Sequence, residues 1–156
     1  MTRAYWAPRM RGVRRIVASL LFIEHGLMKL LQFPAPQPGA PDPLPPLLLA
    51  AAILEVVGGG LILVGLFTRV AAFICSGEMA VGYFLVHAPH SFWPGVNLGD
   101  AAILFCFVFL YLSLAGPGPW SLDARMPWRA VRSSGRDRAR ARQCASAWAS
   151  HPQARG

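Results

Sequence analysis

Four stretches of the chain, residues 13–33, 44–67, 70–87 and 98–116, are apolar at nearly every position. Each runs about 18–24 residues, close to the ~20 that cross a ~30 Å hydrocarbon core as a helix. A chain of 156 residues has no soluble core large enough to hide four such helices. The pattern predicts an all-α membrane protein, a bundle of four transmembrane helices. The first stretch does not read as a cleaved leader, because Glu24, His25 and Lys29 interrupt it and no small-x-small site follows.

The connections differ sharply from the helices. Residues 34–46 carry seven prolines in thirteen positions, which removes backbone donors and constrains each preceding residue. An extended cap over one face of the bundle is expected there. Residues 67–70 leave room only for a tight helix hairpin, and residues 87–97 place Phe92 and Trp93 where interfacial aromatics collect. Gly58, Gly59 and Gly60 fall mid-helix and read as a packing face rather than a phosphate loop.

Charge fixes an expected orientation. The net charge is +8, with Arg3, Arg9, Arg11, Arg14 and Arg15 at the start, Arg69 in the second connection, and eight arginines between Arg125 and Arg155. The other two connections hold no Lys or Arg. The positive-inside rule then puts both termini in the cytoplasm. The expected organisation is a basic cytoplasmic segment over 1–12, a membrane domain over 13–123 and a disordered Arg-rich tail over 124–156. That tail lacks the interleaved aromatics of a nucleic-acid platform, so its expected neighbour is the lipid bilayer and not nucleic acid.

Candidate chemistry enters with the acids. Only seven Asp and Glu occur, and four of them (Glu24, Glu55, Glu78 and Asp100) lie in the apolar runs. An ionisable group there costs about 2.5–3.5 kcal/mol at a helix centre. At ~1.5 Å per residue, Glu24, Glu55 and Glu78 each fall roughly 13–14 Å from the same end of the bundle. Asp100 lies nearer the mouth, beside Asn97 and His87, while His25 and Lys29 share the half that holds the acids. Ala51, Glu55, Gly58 and Gly59 lie on one small-residue face, as do Ala71, Cys75, Glu78 and Gly82. Both carboxylates are therefore expected inside the bundle. Acids outnumber bases at this depth, so at least one carboxylate is expected to be protonated or solvated.

Two readings stay open on these residues alone: structural ion pairing, or a cavity that binds a polar head group or relays protons. No ligand spacing marks a metal site, and no metal is expected. Cys75, Cys106 and Cys144 form no C-x-x-C pair and read as small apolar filler.

Several segments resemble the DoxX family. They are Phe22-Ile-Glu-His-Gly-Leu-Met-Lys-Leu30, Glu55-Val-Val-Gly-Gly-Gly and Gly65-Leu-Phe-Thr-Arg69, followed by Gly77-Glu-Met-Ala-Val-Gly-Tyr-Phe84, His87-Ala-Pro, Phe92-Trp-Pro, Asn97-x-Gly-Asp100 and Gly116-Pro-Gly-Pro-Trp-Ser-Leu-Asp123. The resemblance spans about residues 12–125 and implies a small four-helix protein of the bacterial inner membrane. It marks His25, Lys29, Glu55, Glu78, His87 and Asp100 as motif positions, with Asp100 standing where the family pattern has Glu. It also implies an accessory or quinone-interacting subunit of a membrane oxidoreductase system, at most a subunit and not an autonomous enzyme. No intrinsic cofactor is implied beyond a bound quinone, and the expected partner is a redox subunit or a second copy. A small proton-coupled transporter and a non-catalytic membrane scaffold are the alternatives.

Overall fold

The structure is a computed structural model, and it describes residues 3–126 together with Gln143. Residues 3–124 fall in one compact unit, and every element below belongs to it up to Ala124. The rest of the Arg-rich tail, and the expectation of disorder attached to it, lies outside the described residues apart from Arg125, Met126 and Gln143.

The fold is all helical. It runs α1 (Arg3–Leu30), α2 (Pro46–Val64), α3 (Thr68–Gly82, continued by a π-helical turn Tyr83–His87), α4 (Pro94–Asn97), α5 (Asp100–Ala115) and α6 (Leu122–Arg125). Two of these segments, Pro46–Val64 and Thr68–His87, are long and apolar enough to cross a membrane. Asp100–Ala115 is apolar but has 16 residues. The expected segment boundaries shift for local reasons. α1 begins in the basic N-terminal region, where Arg9 stacks 3.4 Å over the Tyr5 ring and bonds the Tyr5 carbonyl at 2.9 Å. Residues 3–12 are thus helix and continuous with the first apolar run. α1 stops at Leu30, short of Phe33, because Gln32 turns left-handed (φ 54°) ahead of the proline-rich connection. α5 starts at Asp100 because Leu98 is left-handed and the Gly99 amide is taken by the Asn97 side chain at 2.8 Å.

Pro46 opens α2, a position where its missing N–H is no loss. Gly65 closes it at φ 75°, with its own amide and that of Leu66 returning to the Leu61 carbonyl at 3.0 and 2.9 Å. That left-handed cap is open to glycine at no steric cost.

α1 packs chiefly on α2 and α3 on α5, while α2 and α3 meet less extensively. Lipid supplies no hydrophobic force between helices, so close contact depends on small residues. A Cβ on Gly26 would lie 2.7 Å from Val56, and one on Gly59 would lie 2.7 Å from Ile23, so α1 and α2 touch backbone to side chain. Gly58 does the same for α2 and α3 against Cys75. Phe22 of α1 closes the centre, 4.7 Å from the Phe109 ring and 5.4 Å from Phe105 of α5. Large apolar side chains such as Phe73, Leu104, Phe107 and Leu114 remain exposed on the outside, as expected where lipid is the solvent.

The end that gathers the α1 start, the α2–α3 turn and the α5 finish is knotted by arginines. Arg15, 1% exposed, donates to the carbonyls of Ile62 (2.6 Å), Leu63, Pro117 (3.1 Å) and Trp120. Arg11 bonds the Ala115 carbonyl at 2.8 Å, and Arg69 bonds those of Leu114 (2.8 Å) and Ser113 (3.1 Å). The carbonyls of Ile62, Leu63, Ser113, Leu114 and Ala115 lie in the last turns of α2 and α5, where cations also suit the dipole, and those of Pro117 and Trp120 belong to the connection after α5. Asp123 answers from the opposite sign, accepting the amides of Phe67 and Thr68 at 2.9 Å each at the start of α3.

Candidate functional site

At the other end of the bundle the weaker α2–α3 contact opens into a cavity of about 540 Å³. Residues 37–41 of the proline-rich connection form part of its wall, as the expected cap would. Leu47, Leu48, Ala51 and Leu54 of α2 and Ile74, Gly77, Met79 and Val81 of α3 make it largely apolar. Its polar groups are few: Lys29, Gln37, Glu55, Glu78 and His87.

Gly26 sets up the first contact. By letting α1 press against Ala52 and Glu55, it brings Lys29, one turn further on, to Glu55 of α2. Lys29 Nζ and Glu55 Oε1 are 2.5 Å apart, and Glu55 is 1% exposed. The second Glu55 oxygen has no hydrogen-bond partner, and neither oxygen of Glu78 has one. Gln37 Oε1 is in the same condition. Buried polar groups are paired in the great majority of cases, so a concentration of unpaired oxygens on one apolar wall is a feature that a ligand would explain. The volume lies within the roughly 300–1,000 Å³ common for small-molecule sites.

The eight candidate residues separate into two groups. Lys29, Glu55, Glu78 and His87 line the cavity. Glu24 is exposed on the outer face of α1 and does not line the cavity with Glu55 and Glu78, although its depth along the helix is similar. Helix phase decides this: the face of α1 that carries Gly26 and Lys29 turns toward α2, and Glu24 lies off it. His25 bonds the Leu21 carbonyl at 2.8 Å and sets its ring edge-on to Phe105 at 5.5 Å, clear of the cavity wall. Asn97 is a strut, giving its amide to the Ser91 carbonyl (2.8 Å) and taking the Gly99 amide, while its own carbonyl holds His87 Nδ1 at 2.9 Å. Asp100 is exposed in the first turn of α5 and does not itself line the cavity.

Two participants escaped sequence reasoning. Gln37 was hidden in the proline-rich connection, where it is the lone polar side chain between Pro34 and Pro41. Met79 follows Glu78 and reaches the same cavity from α3. Cys75 is fully buried against Gly58, and Cys106 lies 3.6 Å from the Ser76 hydroxyl. Among the described residues no three His, Cys, Asp or Glu side chains gather into a metal site.

Helices of membrane length and an apolar exterior define a multi-pass membrane protein, and relatives named as inner membrane proteins of Escherichia coli put it in the bacterial inner membrane. The chain belongs to the DoxX family, whose model matches residues 12–88. It is 41% identical to an uncharacterized protein of Haemophilus influenzae over 122 residues, covering 76% of this chain and 91% of the relative. It is 33% identical to the inner membrane protein YqjF of Escherichia coli, over 71% of this chain and 87% of that one. A membrane protein of Mycobacterium tuberculosis is 32% identical over 78% of this chain and 84% of its own length. No solved structure matches.

Proposed function

We propose that this protein is an accessory, quinone-interacting subunit of a membrane oxidoreductase system, and that its ligand site is the α2–α3 cavity. In this arrangement α1, α2, α3 and α5 all cross the bilayer, the arginine-knotted end faces the cytoplasm and the cavity lies in the outer half. The observation that carries the ligand reading is the buried Lys29–Glu55 pair with unpartnered Glu78 oxygens on an otherwise apolar wall.

The fit to a quinone-type head group is chemical. Such a group is a flat apolar ring with two opposed oxygens, and it supplies two-electron, two-proton chemistry when bound. Apolar walls from Leu48, Leu54, Met79 and Leu85 accept the ring. Lys29 has N–H donors beyond the one given to Glu55 and can direct one to a ring oxygen. Glu78, free of protein hydrogen-bond partners, can take or return a proton, and Glu55 holds Lys29 in place. Electrons go to or come from a partner redox subunit.

Equilibrium dialysis of a short-chain quinone analogue against the purified protein in lipid nanodiscs tests the proposal. Saturable binding that disappears in Lys29→Met is expected. No saturable binding in either redox state of the analogue overturns it.

A further inference from the structure

Seven glycines fall within α1, α2 and α3, and they divide by what a side chain would meet. At Gly12, Gly26, Gly58 and Gly59 a Cβ would lie 3.0 Å or closer to a neighbouring side chain, so packing there requires bare backbone. At Gly60, Gly77 and Gly82 it would meet nothing within 4 Å. Glycine in a helix loses more backbone freedom on folding than alanine, and helix contact does not account for these three. Gly77 and Gly82 line the cavity, and Gly60 does not.

Their positions around α3 show what they leave open. Gly82 follows Cys75 by seven residues and lies on the same face. Cys75 is pressed against Gly58 of α2. Two turns further out, α2 has drawn away, and Gly82 presents backbone to the cavity where a helix contact would otherwise be. Gly77 lies on the other flank: it comes about 100° before Glu78 around the helix, and Gly82 about 40° beyond. Gly77 is exposed and adjoins Glu78, so it is level with the carboxylate. Leu47, Ile74, Val81 and Leu85 line the cavity and are also exposed. This side therefore opens to the hydrocarbon layer, whereas residues 37–41 cover the outer end.

We propose that Gly77 and Gly82 are ligand-contact residues that make the cavity a lateral slot between α2 and α3. The head group lies flat against the α3 backbone at Gly82, and a hydrocarbon tail leaves past Gly77 into the bilayer. A tail gains no hydrophobic energy by moving from lipid into an apolar wall, so the slot has only to give it an exit. The ligand class is thereby narrowed to a membrane-borne amphiphile with its polar end at Lys29, Glu55 and Glu78. The inference rests on the head-group reading given above. A separate sign of a ligand is Glu55, 1% exposed, whose second oxygen has no partner.

The test uses the full chain in lipid nanodiscs and two probes, a tailless benzoquinone and the same ring on a long polyisoprenyl tail. Each is titrated by its mole fraction in the disc lipid and followed by the rise in melting temperature on binding. Gly77→Phe should weaken the tailed quinone at least about tenfold and the tailless one by no more than about twofold. Gly82→Leu fills the bed of the head group and should weaken both at least about tenfold. Gly60→Phe adds the same bulk outside the cavity and should alter neither. Melting curves without quinone establish that each variant folds, as the open space at these positions leads one to expect. In the unaltered protein, a diazirine on the first carbons of the tail should label α2 and α3 around Leu47, Ile74 and Val81, and this labelling decides where a variant fails to fold. Equal weakening of both probes by Gly77→Phe, no weakening of the tailed one, or labelling confined to residues 37–41 overturns the lateral slot while leaving the quinone site standing. Absence of binding by both probes in the unaltered protein overturns the site itself.

Discussion

The two ends of this bundle handle buried polarity in opposite ways. At the arginine-knotted end, a buried cation meets four carbonyls, and Asp123 meets two amides at the start of α3. At the cavity end, Lys29 neutralises Glu55 through a single oxygen, and three carboxyl oxygens are left without protein partners. Both ends spend ionisable residues in an apolar setting, where each is costly. At one end the charged groups are met by the chain's own backbone, and among the described residues only the buried Thr68 hydroxyl there lacks a partner, which is the signature of structure. The other retains unused hydrogen-bonding capacity beside a cavity, and that is the signature of a site.

Substitutions at each end should separate the two characters. Arg15→Ala should have the largest effect, on the order of 5 kcal/mol, because it leaves several buried carbonyls unpaired together. The expected readout is failure to accumulate in the membrane, or a collapsed melting temperature in detergent; near-normal melting would show that the knot is dispensable.

Lys29→Met comes next at about 3–5 kcal/mol, since Glu55 is left as an uncompensated buried charge. The double variant Lys29→Met/Glu55→Leu should regain most of that stability without regaining ligand binding. If binding returned together with stability, the pair would be a strut and not part of a site. Asp123→Asn keeps the shape but weakens two charge-assisted bonds, a loss of about 1–2 kcal/mol. Hydrogen exchange at the Phe67 and Thr68 amides should quicken, with quinone or quinol affinity unchanged. Glu24→Gln should do least, within about 0.5 kcal/mol and with no change in binding, because its side chain is exposed on the outer face of α1. A binding defect there would move the site boundary from the cavity to the α1 exterior.

Much of this was legible without coordinates. Small-residue spacing turned Glu55 and Glu78 inward, and both line the cavity. The glycine face of α2 was readable for the same reason, and Gly58 and Gly59 each approach a neighbouring helix. Equal depth was a weaker guide. It grouped Glu24 with Glu55 and Glu78, but depth along a helix says nothing of direction around it, and α1 presents Gly26 and Lys29 to α2 instead. Asn97 and Asp100 were close to His87 in sequence, yet the left-handed Leu98 turns the chain between them, so Asn97 braces the connection and Asp100 is exposed.

The arginines show a further limit. Their uneven distribution along the chain is a statement about orientation in the membrane and would read the same for any basic residue. That Arg15 is buried and caps α2 depends on the Gly65 turn and the Pro117–Trp120 connection both arriving beside it. A guanidinium with five N–H donors can serve several carbonyls there, whereas a lysine ammonium cannot span them.

The sequence by itself determined the helical class, the membrane setting and the residues available for a polar interior, because hydropathy and helical period are local properties. Tertiary structure alone decided which of those residues meet. Pairing Lys29 with Glu55, leaving Glu78 unpartnered and bringing Gln37 to the cavity all depend on how closely helices approach and which faces they turn, and those are set by contacts between segments far apart in the chain.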